Sequence, residues 1–280
     1  MFKEDKMSDI MRIYSNTQAM KTRSSLMNVN NKLSTHQYRL STGKKINSAS
    51  EDPAGYALAR TLEKRKRGLS VALQNVTNAN SILNIAEGGY QNLMDILMTV
   101  KDKATQAADM SFSPEQRLAL HDQVSALLEE VDEIVDDTTF NDINLIDGTF
   151  SGNFHTGEKS SDQLFVTLNN ADSASLGVDT IDLTTATAAR TAIEQSSDAI
   201  DMLSSLAQDV GEYKVRLTSK QSALDTQITN TESVRSTVED ADFAAEQMEM
   251  VKWQILQQTS VSALTQANSA PQIVLSLLQS

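Results

Sequence analysis

The sequence predicts a mainly α protein: an elongated, antiparallel, coiled-coil-like helical bundle with a small β-hairpin region and a pair of terminal helices. Three observations lead there. Turn-formers are scarce, with ten glycines and three prolines in 280 residues, far below the roughly 12% of average usage. Apolar residues recur in seven-residue steps over long stretches, the period of helices that pack along a seam. That texture is interrupted near Thr138, where glycines and short β-type runs gather.

The first helix is marked by Leu26, Leu33 and Leu40 at seven-residue steps, with Ile13, Met20 and Met27 on an adjacent row, and Thr42-Gly43 supplies a break. In the second, the step from Leu62 lands on Leu69, Val76, Leu83, Tyr90 and Leu97, while a row three positions on holds Ala72, Ala79, Ala86, Leu93, Val100 and Ala107. Asp52 is placed to cap this helix and Pro53 fits its first position, so a rod from Pro53 to about Ala107 would run roughly 80 Å at ~1.5 Å per residue. Its alanine row leaves room for a partner helix to approach closely. Gly88-Gly89 inside it reads as a flexible point or a close contact. Ser113-Pro114-Glu115-Gln116 is a capping box for a third helix, with Leu120, Val124, Leu127, Leu128, Val131 and Ile134 on one face. A hairpin region is expected at about 140–186. Helical periodicity returns from Thr187, with a seam at Leu203, Val210, Leu217, Leu224 and Val238 and with Leu206, Tyr213 and Val234 beside it. It continues through Val251, Ile255, Leu256, Val261 and Leu264, and Pro271 is expected to kink or end the last helix.

Composition excludes several functions. There is no cysteine, which removes disulfides, thiolate zinc sites, iron–sulfur clusters and Cys nucleophiles. The formal net charge of −13 argues against a nucleic-acid backbone as partner. No apolar run approaches the ~18 residues of a membrane span, and no signal-peptide segment follows the polar start. His36, His121 and His155 are each alone in their segments, with no HExxH pair, P-loop or dinucleotide fingerprint. Lys64-Arg65-Lys66-Arg67 reads as a solvated helix face, since Glu63 lies four residues before Arg67. The acidic run over Glu129, Glu130, Asp132, Glu133, Asp136 and Asp137 reads the same way, because helical periodicity continues through it and no glycine sits where a calcium loop needs one. Neither an enzyme nor a cofactor is expected.

The two ends carry the functional signal. Residues 11–41 and 246–280 hold apolar stripes flanked by Ser, Thr, Asn and Gln, and no ionisable side chain occurs from Gln254 to Ser280. A solvent-facing helix shows interspersed Lys and Glu. A charge-free face suits packing against other protein, where an unpaired charge would be costly to bury.

The motifs resemble a family. The stretch from Arg39-Leu40-Ser41-Thr42-Gly43 through Glu51-Asp52-Pro53-Ala54-Gly55 resembles the N-terminal signature of bacterial flagellin. Glu239-Asp240-Ala241-Asp242-Phe243-Ala244, Gln254-Ile255-Leu256-Gln257-Gln258 and Ala267 through Leu278 resemble its C-terminal counterpart. Thr139-Phe140-Asn141, Leu145-Ile146-Asp147-Gly148 and Ser175-Leu176-Gly177-Val178 resemble its turn and hairpin landmarks. Met11-Arg12-Ile13 resembles the usual family start, so residues 1–10 read as an N-terminal extension.

The resemblance implies a subunit that polymerises into the flagellar filament for motility. Paired terminal helices, 11–48 and 241–280, would form the inner tube around the central channel. Their assembly residues would be Met20, Leu26, Leu33, Leu40, Ile255, Leu256, Val261, Leu264, Ile273, Val274, Leu277 and Leu278. Residues 49–240 would form the outer-tube rod on the seam of Leu62, Leu69, Val76, Leu83, Tyr90, Leu97, Leu203, Val210, Leu217 and Leu224, with no large variable outer domain. The chain would leave through the flagellar type III apparatus without a cleaved signal and end up outside the cell. Its partners would be other copies of itself, an export chaperone, the cap and the hook-junction proteins. At the motif recognised by the animal Toll-like receptor for flagellin, Thr99 stands where the family usually has Arg, Lys103 where it has Leu, and Gln123 replaces a contributing Glu, which implies weak receptor activation. Two alternatives stand beside this reading: a hook–filament junction protein of the same family, and a coiled-coil scaffold that never polymerises.

Overall fold

The computed structural model describes residues 15–278, with the helix backbone alone over 270–278. Among the described residues there are five helices and two small hairpins. Helix α1 (Thr17–Thr42) starts on Asn16, whose Oδ1 accepts the Ala19 N–H at 2.9 Å, and stops at Gly43, left-handed at φ 69°. That conformation carries no Cβ penalty in glycine, and the Gly43 N–H closes on the Arg39 carbonyl at 2.8 Å. Helix α2 (Pro53–Ala107) is capped by Asp52, whose Oδ1 accepts from the Ala54 and Gly55 N–H groups at 3.1 and 3.0 Å. Helix α3 (Pro114–Asp137) opens with both bonds of the Ser113–Gln116 capping box. Strands β1 (Thr139–Phe140) and β2 (Ile143–Asn144) are joined by Asn141 and Asp142, both at positive φ (50° and 61°), the geometry of a two-residue hairpin turn. Strands β3 (Ser151–His155) and β4 (Gln163–Thr167) pair antiparallel with Asn153 opposite Phe165. Helices α4 (Ala186–Glu239) and α5 (Phe243–Leu278) complete the chain.

The chain divides into two compact units, one of residues 65–230 and one formed by residues up to Lys64 together with those from Thr231 onward. The unit 65–230 has one continuous core. Leu69, Val76, Leu83, Tyr90 and Leu97 of α2 are buried in it together with the alanine-rich row from Ala72 to Ala107, and Leu203, Val210, Leu217 and Leu224 of α4 join them. Helix α3 adds Val124, Leu128, Val131 and Val135 and runs antiparallel to α2: the Arg117 Nε donates to the Ala107 carbonyl at 2.8 Å near its start, and Thr138 lies against Gly89 at its end. A Cβ on Gly89 would come within 3.0 Å of Ile146 and Thr138, whereas one on Gly88 meets nothing within 4 Å. Of the glycine pair, Gly89 is therefore the close contact. Tyr90 is buried, and its hydroxyl donates to the Asn169 carbonyl at 2.9 Å. Burial first, and then the Asp209 carboxylate, push its phenol far above the usual range.

Three expectations are corrected. The last helix does not end at Pro271 but continues to Leu278. Proline at 271 has no N–H for the carbonyl of Ala267 four residues back, and the Asn16 side-chain amide donates to that carbonyl instead, at 2.7 Å. Val234 is half exposed: the row beside the α4 seam reaches Lys220 and Gln227 before it, both exposed, as a 3.6-residue helix drifts off a strict seven-residue repeat. Finally, strands occupy only the first part of the expected hairpin region. From Leu168 the chain turns over the core and buries Leu168, Ala171, Leu176, Val178, Ile181 and Leu183 without further pairing.

Candidate assembly interface

Helices α1 and α5 lie antiparallel, and the side-chain bonds between them give the register. Asn16 reaches Ala267, the Gln257 Nε2 donates to the Asn30 Oδ1 at 2.8 Å, and His36 Nδ1 meets Glu246 Oε2 at 2.5 Å, so α5 runs back as α1 advances. Along this pair Val29 and Leu33 are buried on α1 and Ala267 on α5, with Leu26, Leu40 and Leu264 half-buried. Arg39 joins the pair, its Nη1 at 3.4 Å from Glu246. Trp253 stacks on His36 with ring centroids 6.5 Å apart and planes 13° from parallel, while its indole N–H donates to Glu249 at 3.1 Å. Sequence alone left His36 without a partner, because Glu246 lies 210 residues away.

At the foot of this pair sits Glu239, whose side chain is only 1% exposed. Three cations converge on it: the Lys44 ammonium at 2.6 Å, the Arg60 guanidinium at 2.8 Å and the Arg235 guanidinium at 2.5 Å. Burial pushes this carboxyl up, but the hydrogen bonds from Lys44 and Arg235, with the charges of Lys44 and Arg60, hold it below the usual carboxylate range. The backbone uses the same place. Lys45 N–H donates to the Glu239 carbonyl at 2.7 Å and Ala241 N–H to the Gly43 carbonyl at 2.9 Å, so the stop after α1 is stitched to the start of α5. Spacing relates only Arg235 and Glu239, four residues apart on α4, whereas Lys44 and Arg60 come from two other segments.

Several large apolar side chains stand open on the outward side of the pair. Met20 and Met27 on α1 and Met248, Val251, Ile255, Leu256 and Val261 on α5 are all exposed, Met20 at 65%, Met248 at 68% and Ile255 at 58%. Expected assembly residues thus fall into two groups: Leu26, Leu33, Leu40 and Leu264 turn toward the partner helix, whereas Met20, Ile255, Leu256 and Val261 face out. The side chains of Ile273, Val274, Leu277 and Leu278 lie outside the described residues, as does the expected extension at 1–10. On the seam, Leu62 is half-buried and the other nine residues are buried. Large apolar side chains left exposed in this number mark a protein–protein contact. No group of three His, Asp or Glu able to hold a metal ion occurs among the described residues, and no described helix is long and apolar enough to cross a membrane. Of the positions expected to align with the receptor motif, Thr99 is exposed with its hydroxyl on the Asp95 carbonyl at 3.0 Å, Lys103 is half-buried one turn on, and Gln123 is exposed on α3.

Two family models match this chain: the bacterial flagellin N-terminal helical region over residues 13–151 and the bacterial flagellin C-terminal helical region over 191–278. A flagellin of Listeria monocytogenes is 31% identical, the match covering 96% of this chain and all of that protein. The flagellar filament 30.7 kDa core protein of Treponema maltophilum is 30% identical over 86% of this chain and 90% of its own length. Among solved structures, a flagellar hook-associated protein of Vibrio parahaemolyticus matches with a TM-score of 0.58 at 10% identity, covering 68% of this chain and all of that one. That last likeness is one of fold.

Proposed function

This chain belongs to the bacterial flagellin family, and on that premise we propose how it performs the family's role. It is a structural subunit of the bacterial flagellar filament, and its work is mechanical. The observation that supports the assembly mechanism is the set of exposed apolar side chains on α1 and α5, of which Ile255, Leu256 and Val261 lie in a run with no ionisable side chain after residue 253. Covering apolar surface gains about 25 cal/mol per Å², and within that run no side-chain charge has to be desolvated. The terminal pair forms the inner tube and lines the central channel, and the helices of residues 49–240 form the outer tube. Export runs through the flagellar type III apparatus, for which a chain without cysteine is suited, since nothing in it can cross-link. An export chaperone, the cap and the hook-junction proteins are its partners on that route, and the assembled subunit lies outside the cell. The filament role is favoured over a junction protein because the filament relatives match along the chain's length, whereas the likeness to the hook-associated structure is one of fold.

Electron microscopy of the purified protein, with a precipitant salt or sheared seeds, tests the mechanism beside a variant lacking residues 261–280. The intact chain should give long thin tubes and the truncated one discrete particles. Tubes from both would show that the charge-free segment does not drive assembly.

A further inference from the structure

Charge is distributed unevenly along this chain. The unit of residues 65–230 holds 25 Asp and Glu against 11 Lys and Arg, so it carries the whole of the chain's negative balance. Within it, Glu129, Glu130, Glu133, Asp136 and Asp137 crowd the last turns of α3, all exposed, and none forms a side-chain hydrogen bond or ion pair among the described residues. The position is unfavourable twice over. The carbonyl end of a helix is the negative pole of its dipole, and like charges three and four residues apart repel. No basic residue occupies the last turn to offset either effect. Elsewhere in the same unit lies the opposite patch. Arg65 on α2, Lys220 on α4 and Lys159 in the β3–β4 turn line an open cleft of about 310 Å³. Arg65 has one ion pair, with Glu158 at 3.4 Å. The Lys159 and Lys220 ammonium groups are exposed and have no carboxylate partner among the described residues, and Asp162 in the same cleft is turned to the Lys159 backbone N–H at 3.1 Å.

These patches cannot serve each other inside one subunit. The α3 terminus lies beside Gly89, about 24 residues along α2 from Arg65, which is roughly 36 Å at ~1.5 Å per residue. That is several times the ~8 Å screening length of physiological salt. We propose that the Arg65–Lys159–Lys220 cleft receives the acidic end of α3 from a second copy of this chain. Two complementary patches at different places on one subunit make a heterologous contact, the kind that propagates into an open polymer rather than closing into a dimer. The inference rests on the filament reading and adds to it which surfaces of the 65–230 units meet.

The test is seeded polymerisation of the full chain in low and in moderate salt, followed by sedimentation and electron microscopy, with circular dichroism of the monomers as a folding control. Lys159→Glu with Lys220→Glu should raise the critical concentration about tenfold in low salt, and the effect should shrink as salt rises. Lys101→Glu with Arg190→Glu gives the same net charge elsewhere in the unit and should stay within about twofold of the unmutated protein. Glu129→Lys with Glu133→Lys should also impair assembly, although it relieves the overall negative charge. Combining the cleft and α3 reversals should recover most of the loss. A combined variant no better than the worse of its parents would overturn the contact. So would α3 reversals that leave assembly unchanged or improve it, the result expected if the acidic end is merely repulsive or screened by cations. Failure of the unmutated chain to polymerise in every condition would instead overturn the filament reading, and is read from its own arm.

Discussion

Three cations converge on Glu239, and removing the carboxylate would leave them facing one another with nothing between. Glu239→Gln should lose roughly 2 kcal/mol, less than a fully buried pair because Lys44 and Arg60 are partly solvated and can turn outward. The pH dependence identifies the cause. The native carboxyl sits below its unfolded value of 4.5, so its contribution is fully present above that value and is lost as pH falls through the native one. Thermal unfolding from neutral to acid pH should therefore show the unmutated chain and the variant converging in acid; curves that stay parallel would mean that the charge is not what stabilises. Asn16 makes a second residue-scale case. Its Oδ1 caps α1 while its Nδ2 takes the Ala267 carbonyl that Pro271 cannot serve. Asn16→Ala should cost about 1 kcal/mol and speed amide exchange around residue 267. In a Pro271→Ala background, where the helix regains its own bond, the exchange effect at 267 should vanish while the α1 cap loss persists. Equal exchange effects in both backgrounds would break the link between the two helix ends.

At the scale of elements, α2 decides how closely its neighbours approach. The seven-residue step located its buried seam, because a helix that packs along its length must repeat its apolar face at that period. Gly88 and Gly89 are adjacent and look alike in the sequence, yet only one is spatially required. Gly88→Ala should stabilise by about 0.5–1 kcal/mol through helix propensity. Gly89→Ala should lose that gain and more, since its Cβ meets Ile146 and Thr138 at 3.0 Å. Melting temperatures of the two variants check this, and equal shifts would mean that the β1–β2 hairpin gives way freely. Helices α1 and α5 differ from α2. Their apolar residues split between a face that meets the partner helix and one left open, so the stripe in the sequence is wider than a single helix pair can cover.

For the whole molecule, the receptor-motif departures give a direct expectation. With Thr99, Lys103 and Gln123 in place, the monomer should activate the animal flagellin receptor weakly, and Thr99→Arg with Lys103→Leu should raise the response of reporter cells. A strong response from the unmutated chain at nanomolar concentration would sink this. How much was legible beforehand follows from the range of each interaction. Helix positions, the capping box at Ser113, the stop at Gly43 and the seam from Leu69 to Leu97 all depend on residues within one or two turns, so periodicity and local chemistry located them. The charge-free run after residue 253 was likewise visible as composition. Contacts between distant segments were not. Glu246 against His36, Asn16 beneath Pro271, and Lys44 and Arg60 on Glu239 each join parts of the chain that no spacing rule relates, whereas Arg235 lies four residues before Glu239 on the same helix. Which segments are helices and which faces are apolar can be read along the chain, because those properties repeat at short range. Which of those faces stays open, and where a buried charge finds its partners, follows from folding, because both depend on what it brings alongside.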